Sequence, residues 1–114
     1  MKDEIKDKWI AALESGQYKQ ATEALNINNE KFCCLGVLCE LAHQEGVVSK
    51  NPPLHDCTAY RYGDRDESGY LPYEVIAWSG LDSHNPTVDG ENLTRLNDKG
   101  VPFDQLAILI KEHL

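Results

Sequence analysis

The run Phe32-Cys33-Cys34-Leu35-Gly36-Val37-Leu38-Cys39-Glu40-Leu41-Ala42 constrains this chain more than any other stretch. It is the longest apolar segment and holds three of the four cysteines. From Cys34 to His43 its spacing suits a helix better than a strand. Cys34, Leu38 and Leu41 share one stripe, and Leu35, Cys39 and Ala42 share the next. Gly36, Glu40 and His43 take the remaining face. A helix apolar around most of its girth belongs at the centre of a domain. Gly36 costs about 1 kcal/mol relative to alanine inside a helix, so its place there points to another backbone passing close by.

The rest of the chain has to cover that helix. With 114 residues, 41% hydrophobic and 26% charged, it suits one core and one domain spanning 1–114. No apolar run approaches the roughly 18 residues that would cross a bilayer. The charged start, Met1 to Asp7, lacks the apolar middle of a signal peptide, which leads us to expect a cytosolic protein with no membrane partner. The net charge of −8 argues against general nucleic-acid binding, which needs lysine and arginine to neutralise phosphates. It would suit a basic protein partner.

Residues 3 to 15 read as an amphipathic helix, with Ile5, Trp9, Ala12 and Leu13 on one face and Gly16 just past its end. Residues 17 to 34 read as a β-hairpin. Its first strand is Gln17 to Leu25, its turn is Asn26 to Glu30, and its return strand is Lys31 to Cys33. Ala21, Glu23 and Ala24 are poor strand formers within it. Residues 47 to 70 form a long irregular region with some strand, for example Thr58 to Tyr62. Leu71 to Leu81 is a short helix opened by Pro72 and closed by Gly80, with Leu71, Val75 and Trp78 buried. Residues 82 to 91 read as a loop marked by Asn85-Pro86 and Asp89-Gly90. A short helix over Asn92 to Lys99 follows, and a last helix runs from Phe103, with Phe103, Leu106, Ala107, Ile110 and Leu114 facing inward. The sum is a small α+β domain: N-terminal helix, hairpin, central helix, long loop and three short C-terminal helices.

Three chemistries compete for the polar residues. Cys39 and His43 are four apart on a helix, and with Cys34 and Cys57 they form a candidate zinc set, with Cys33 and His55 as substitutes. No Cys-x-x-Cys pair supports it, and buried reduced thiols acting as small hydrophobes are the simpler account. A cysteine nucleophile near His43, His55 or His84 is opposed by the apolar setting, which raises a thiol's pKa. We therefore expect no cofactor. The third chemistry is binding of a small anion. Lys19, Arg61, Arg65 and Arg95 are interspersed with Tyr18, Tyr60, Tyr62 and Tyr70, and arginine forks grip phosphate while tyrosine rings stack on bases. Against it, Arg61 to Glu67 also reads as a self-neutralised surface loop. Asn97 and Asp98 read as helix-end or turn caps.

The pattern Trp9 to Gln20, then Phe32 to Ala42, then Leu71-Pro72 with Val75 and Trp78-Ser79-Gly80-Leu81, then Leu93 to Asp98 and Phe103-x-x-Leu106-Ala107, resembles a family of short proteins common in tailed bacteriophages and prophages. This chain departs from it after Gln20, where Ala21-Thr22-Glu23-Ala24 replaces a glycine-rich segment. The resemblance implies a phage setting rather than a mechanism; by analogy with small acidic phage proteins that inhibit host defences, we expect an accessory protein of the host cytosol that counteracts a bacterial defence without being an enzyme. It would act by sequestering a small anionic nucleotide-derived signal or by binding a host defence protein. For the signal, the expected contacts are Tyr18, Lys19, Tyr60, Arg61, Tyr62, Arg65 and Arg95, with a homo-oligomer interface left open as their setting. The other readings are a zinc- or thiol-dependent protein and a purely structural interaction module.

Overall fold

The computed structural model describes residues 1–62 and 65–114, and for Arg61, Tyr62 and Arg65 the backbone alone. The central helix is α2, Cys34–Gln44, and Cys34, Leu35, Gly36, Val37, Leu38, Cys39 and Ala42 are all buried. Leu41 is only half-buried. Helix α1, Asp3–Glu14, lays Ile5, Trp9, Ala12 and Leu13 into the core. Trp9 is fully enclosed, and its indole N–H donates to the carbonyl of Cys34 at 2.9 Å. That bond places α1 against the first turn of α2, so the anchor is polar as well as apolar.

Gly36 sits where another backbone does pass. A Cβ built there would lie 1.7 Å from the carbonyl oxygen of Leu25. The segment before α2 has to cross that point, and this changes the expected hairpin. The return strand β3 forms over Lys31–Phe32, with Cys33 already at the cap of α2, and pairs antiparallel with a short strand β2, Asn26–Ile27, which lies within the expected turn. The turn between them uses left-handed Asn28 and Asn29, with φ of 54° and 58°. The proposed first strand does not run through to Leu25. It shrinks to β1, Lys19–Gln20, which pairs parallel with β3, giving the order β1-β3-β2. Residues 21–25 leave the sheet because Ala21 and Ala24 fill the core and Glu23 takes a left-handed φ of 69°. These are poor strand formers, and the bend lets Leu25 lie over Gly36.

The region after α2 carries its own sheet. Strands β4 (Ser49–Lys50), β5 (Tyr60–Tyr62) and β6 (Arg65–Glu67) pair antiparallel in that order. An Ile27–Cys57 bridge joins this region to β2. Helix α3, Tyr73–Ser79, begins after Pro72 and ends at Gly80 with φ 77°, as its punctuation implied. Val75 is fully buried and Trp78 half-buried. The expected 82–91 loop contains a small hairpin, β7 (Thr87–Val88) and β8 (Glu91–Asn92). Asp89 and Gly90 both have positive φ, the turn that matches the twist of paired strands. Helices α4, Leu93–Asp98, and α5, Phe103–His113, complete the domain. Helices α1, α3 and α4 surround α2, and α5 closes on α1 and α4. The fold is therefore a small α+β domain, with five helices and short strands among the described residues. Among those residues no helix is long and apolar enough to cross a membrane.

Candidate functional site

The polar organisation of the molecule centres on Asn97, which is fully buried at the end of α4. Its Oδ1 accepts from the backbone N–H of Cys34 at 3.2 Å and from the Gln20 side-chain amide at 2.9 Å. Its Nδ2 donates to the carbonyl of Ala21 at 2.7 Å. One side chain thus satisfies an open N–H of α2, which has no side-chain cap of its own at Cys33, and ties down the 20–21 segment. The neighbouring Asp98 holds the strained end of that segment, accepting the backbone N–H of Glu23 at 3.1 Å. On the far side, the N–H of Leu25 donates to the carbonyl of Ser68 at 2.9 Å.

These bonds leave a cleft of about 240 Å³ lined by Glu23, Ala24, Cys33, Gly69, Tyr70, Thr94 and Asp98. Cys33 belongs to the start of α2, Thr94 and Asp98 to α4, and Tyr70 to the approach to α3. The Tyr70 ring is 52% exposed, enough to meet a visitor at the rim. Glu23 and Asp98 form no ion pair among the described residues. In the sequence Asp98 reads as a cap, Cys33 as a substitute zinc ligand and Tyr70 as one of the tyrosines near the arginines, and nothing there joins them. Glu23, Thr94 and Cys33 carry no motif, so chain folding alone gathers them.

A second polar group is built on Glu40 of α2. Tyr60 donates to Glu40 Oε2 at 2.7 Å, and Lys50 Nζ reaches Glu40 Oε1 at 2.7 Å. Asn26 donates to the Tyr60 hydroxyl at 3.0 Å and Lys50 to Asn29 Oδ1 at 3.2 Å. This network explains how a glutamate can sit on the central helix: its charge is paired and hydrogen-bonded where water is scarce. It fastens the second sheet to α2. Burial and the Glu40 charge push the Tyr60 hydroxyl pKa up, so it stays a donor.

The expected anion clamp is not assembled by any contact among the described residues. Tyr60 is fully buried and spends its hydroxyl on the network, so it belongs to the core rather than to a ligand. Tyr18 packs edge-on against Phe32, with ring centroids 5.4 Å apart, and Lys19 is exposed on β1. That strand is the edge of its sheet away from β2, through which the Arg61 strand is reached. Arg95 is exposed on α4. The side chains of Arg61, Tyr62 and Arg65 lie outside the described residues.

Cys34, Cys39, His43 and Cys57 do not converge. Among the described residues no group of three or more His, Cys, Asp or Glu side chains is placed to hold a metal ion. His43 instead donates from Nδ1 to the carbonyl of Val48 at 2.9 Å. Burial raises the Cys33 thiol pKa to about 11, partly opposed by the N–H groups of Gly36 and Leu35, and Asp98 raises it further. Burial also raises Cys34 and Cys39. Such thiols stay protonated at neutral pH and are poor nucleophiles. Two outcomes follow. In the native protein iodoacetamide should label half-buried Cys57 and spare the other three cysteines, as read by mass spectrometry; rapid labelling of Cys33 would contradict this. Stability should also fall with alkali. Above about pH 8.5 unfolded thiols release protons that the folded chain still holds, so the unfolded state binds fewer protons and the slope is negative. Urea midpoints at pH 8 and pH 10 measure it.

Comparison with known proteins adds one result. No curated protein and no solved structure matches the chain. Over residues 1–114 its sequence matches the family model described as a domain of unknown function, DUF8296, and the chain belongs to that family.

Proposed function

We propose that this is a non-enzymatic accessory binding protein of a tailed phage or prophage, acting in the host cytosol by docking on a basic face of a bacterial defence protein and blunting it. The observation that carries the docking step is the exposed tyrosine pair at the entry to α3. Tyr70 is 52% and Tyr73 64% exposed, although they flank the buried pair Leu71-Pro72. Aromatic rings left in water are the common anchors of protein interfaces. The net charge of −8 favours encounter with a basic partner. Thiols held protonated by burial speak for binding rather than for thiol catalysis. The setting in phage biology rests on the resemblance of the Phe32 to Ala42 block.

The signal-sequestering version has a smaller footing. Lys19 and Lys31 stand opposite each other in the parallel register of β1 and β3. Both are exposed, and neither is in an ion pair among the described residues.

The test is plaque formation by a defence-sensitive phage on hosts that carry defence systems and express this protein. Plaquing should recover on at least one such host by about tenfold or more, and Tyr73→Ala, exposed and structurally idle, should reduce the recovery. No recovery on any host tested would refute the proposal. Calorimetry with cyclic nucleotides and ADP-ribose derivatives separates the two versions: docking predicts flat titrations, and saturable heat would favour sequestration.

A further inference from the structure

Resting on the docking reading, we propose that the cleft between Glu23, Asp98, Thr94 and Tyr70 is a receptor for a single arginine side chain of the partner protein. Its volume of about 240 Å³ falls below the roughly 300–1,000 Å³ of ordinary small-molecule sites, so it suits a side chain better than a nucleotide. Its lining is acidic. Asp98 Oδ1 is engaged by the Glu23 N–H and the Asn97 amide, and no bond among the described residues occupies Oδ2. Glu23 brings a second carboxylate to the same lining, with no ion pair to either carboxylate among the described residues. An anion would meet two like charges here, whereas a cation meets two opposite ones.

Arginine fits this lining better than lysine. A guanidinium presents a fork of five donors that can serve two carboxylates at once, while an ammonium is a compact point charge. Its flat faces are weakly hydrated and stack on aromatic rings, and Tyr70 supplies such a ring at the rim. The floor is Cys33, which is 3% exposed and protonated at neutral pH, so it is a neutral, soft surface under that plane. The cleft is also held in shape before any partner arrives. The Asp98–Glu23 bond, the Asn97–Ala21 bond and the Leu25–Ser68 bond fix three of its walls. Such preorganisation lowers the ordering cost of binding.

The experiment uses the full chain, labelled with nitrogen-15, and three blocked tripeptides, acetyl-Gly-X-Gly-amide, with X arginine, lysine or citrulline. The arginine peptide should give saturable amide shifts centred on Glu23, Cys33, Thr94 and Asp98. The citrulline peptide, nearly isosteric but uncharged, should bind about tenfold more weakly, and the lysine peptide should fall between them. Glu23→Gln should weaken arginine binding by about fivefold to tenfold. Asp98→Asn, which keeps an oxygen for the Glu23 N–H and so preserves the fold, should do the same. Equal binding of citrulline, lysine binding tighter than arginine, or shifts centred elsewhere would overturn the proposal. Plaquing that recovers while the arginine peptide fails to bind leaves docking standing and removes this receptor. Peptide binding without any recovery of plaquing does the reverse.

Discussion

Gly36→Ala is expected to cost about 3–5 kcal/mol, the far end of what overpacking does. Two effects oppose each other at this position. Helix propensity alone favours alanine by about 1 kcal/mol. Against that, the new methyl carbon would start 1.7 Å from the Leu25 carbonyl oxygen and 2.6 Å from its carbonyl carbon. Both atoms are backbone, so no side chain can turn away to relieve the clash. Leu25 itself is fully buried and held by bonds from its N–H to Ser68 and from the Cys33 N–H to its carbonyl. Relief therefore requires moving the 21–25 segment off α2, which opens the core and pulls apart the wall of the cleft. A domain of this size has only about 5–15 kcal/mol in total, so the loss is a large share of it. Urea denaturation followed by tryptophan fluorescence reads it directly. Gly69→Ala is the control: nothing lies within 4 Å of its added carbon, and its cost should stay within about 0.5 kcal/mol. Equal stability of the two variants would show that Leu25 does not cross α2 as described.

Asn97→Ala should be the next most damaging change, at about 3–4 kcal/mol, because each buried polar group left unpaired costs about 1–3 kcal/mol. Two groups lose their partner outright, the Cys34 N–H and the Ala21 carbonyl. The Gln20 amide is spared that fate by its second acceptor, the Val101 carbonyl at 2.8 Å. The loss should have a local signature too. Freed from Asn97, residues 20–24 should exchange their amide hydrogens faster than α1 and α5 do. A variant within about 1 kcal/mol of the parent, with unchanged exchange over 20–24, would remove Asn97 as the organiser of the cleft.

Much of the fold is legible in local pattern. The stripe Ile5, Trp9, Ala12, Leu13 and the stripe Phe103, Leu106, Ala107, Ile110 mark helices whose buried faces are the expected ones. Gly80 ends α3 in the left-handed conformation its sequence position implies. Each of these signals depends on residues within a turn or two of one another. The misreading at 17–25 has the opposite origin. Nothing local says that β1 pairs parallel with β3, or that Leu25 leaves the sheet to cross a helix eleven residues later. The Asp89-Gly90 turn was visible, but the strands beside it are too short to stand out by alternation.

The cleft shows the same division more sharply. Glu23, Cys33, Tyr70 and Thr94 come from four separate stretches and share no spacing that a motif could express. They meet because Asn97 reaches both α2 and the 20–21 segment. Asn97 itself looked like an ordinary cap between Leu96 and Gly100. Tyr60, by contrast, looked like a ligand residue and is a core hydrogen-bond donor to Glu40. Periodicity, punctuation and charge thus dictate which segments are helices, which faces are apolar, and that the surface is acidic, since these follow from neighbours along the chain. Which polar residues are buried partners and which line a cleft is decided only when distant segments close on α2, because a side chain's hydrogen bonds depend on the groups that surround it in space.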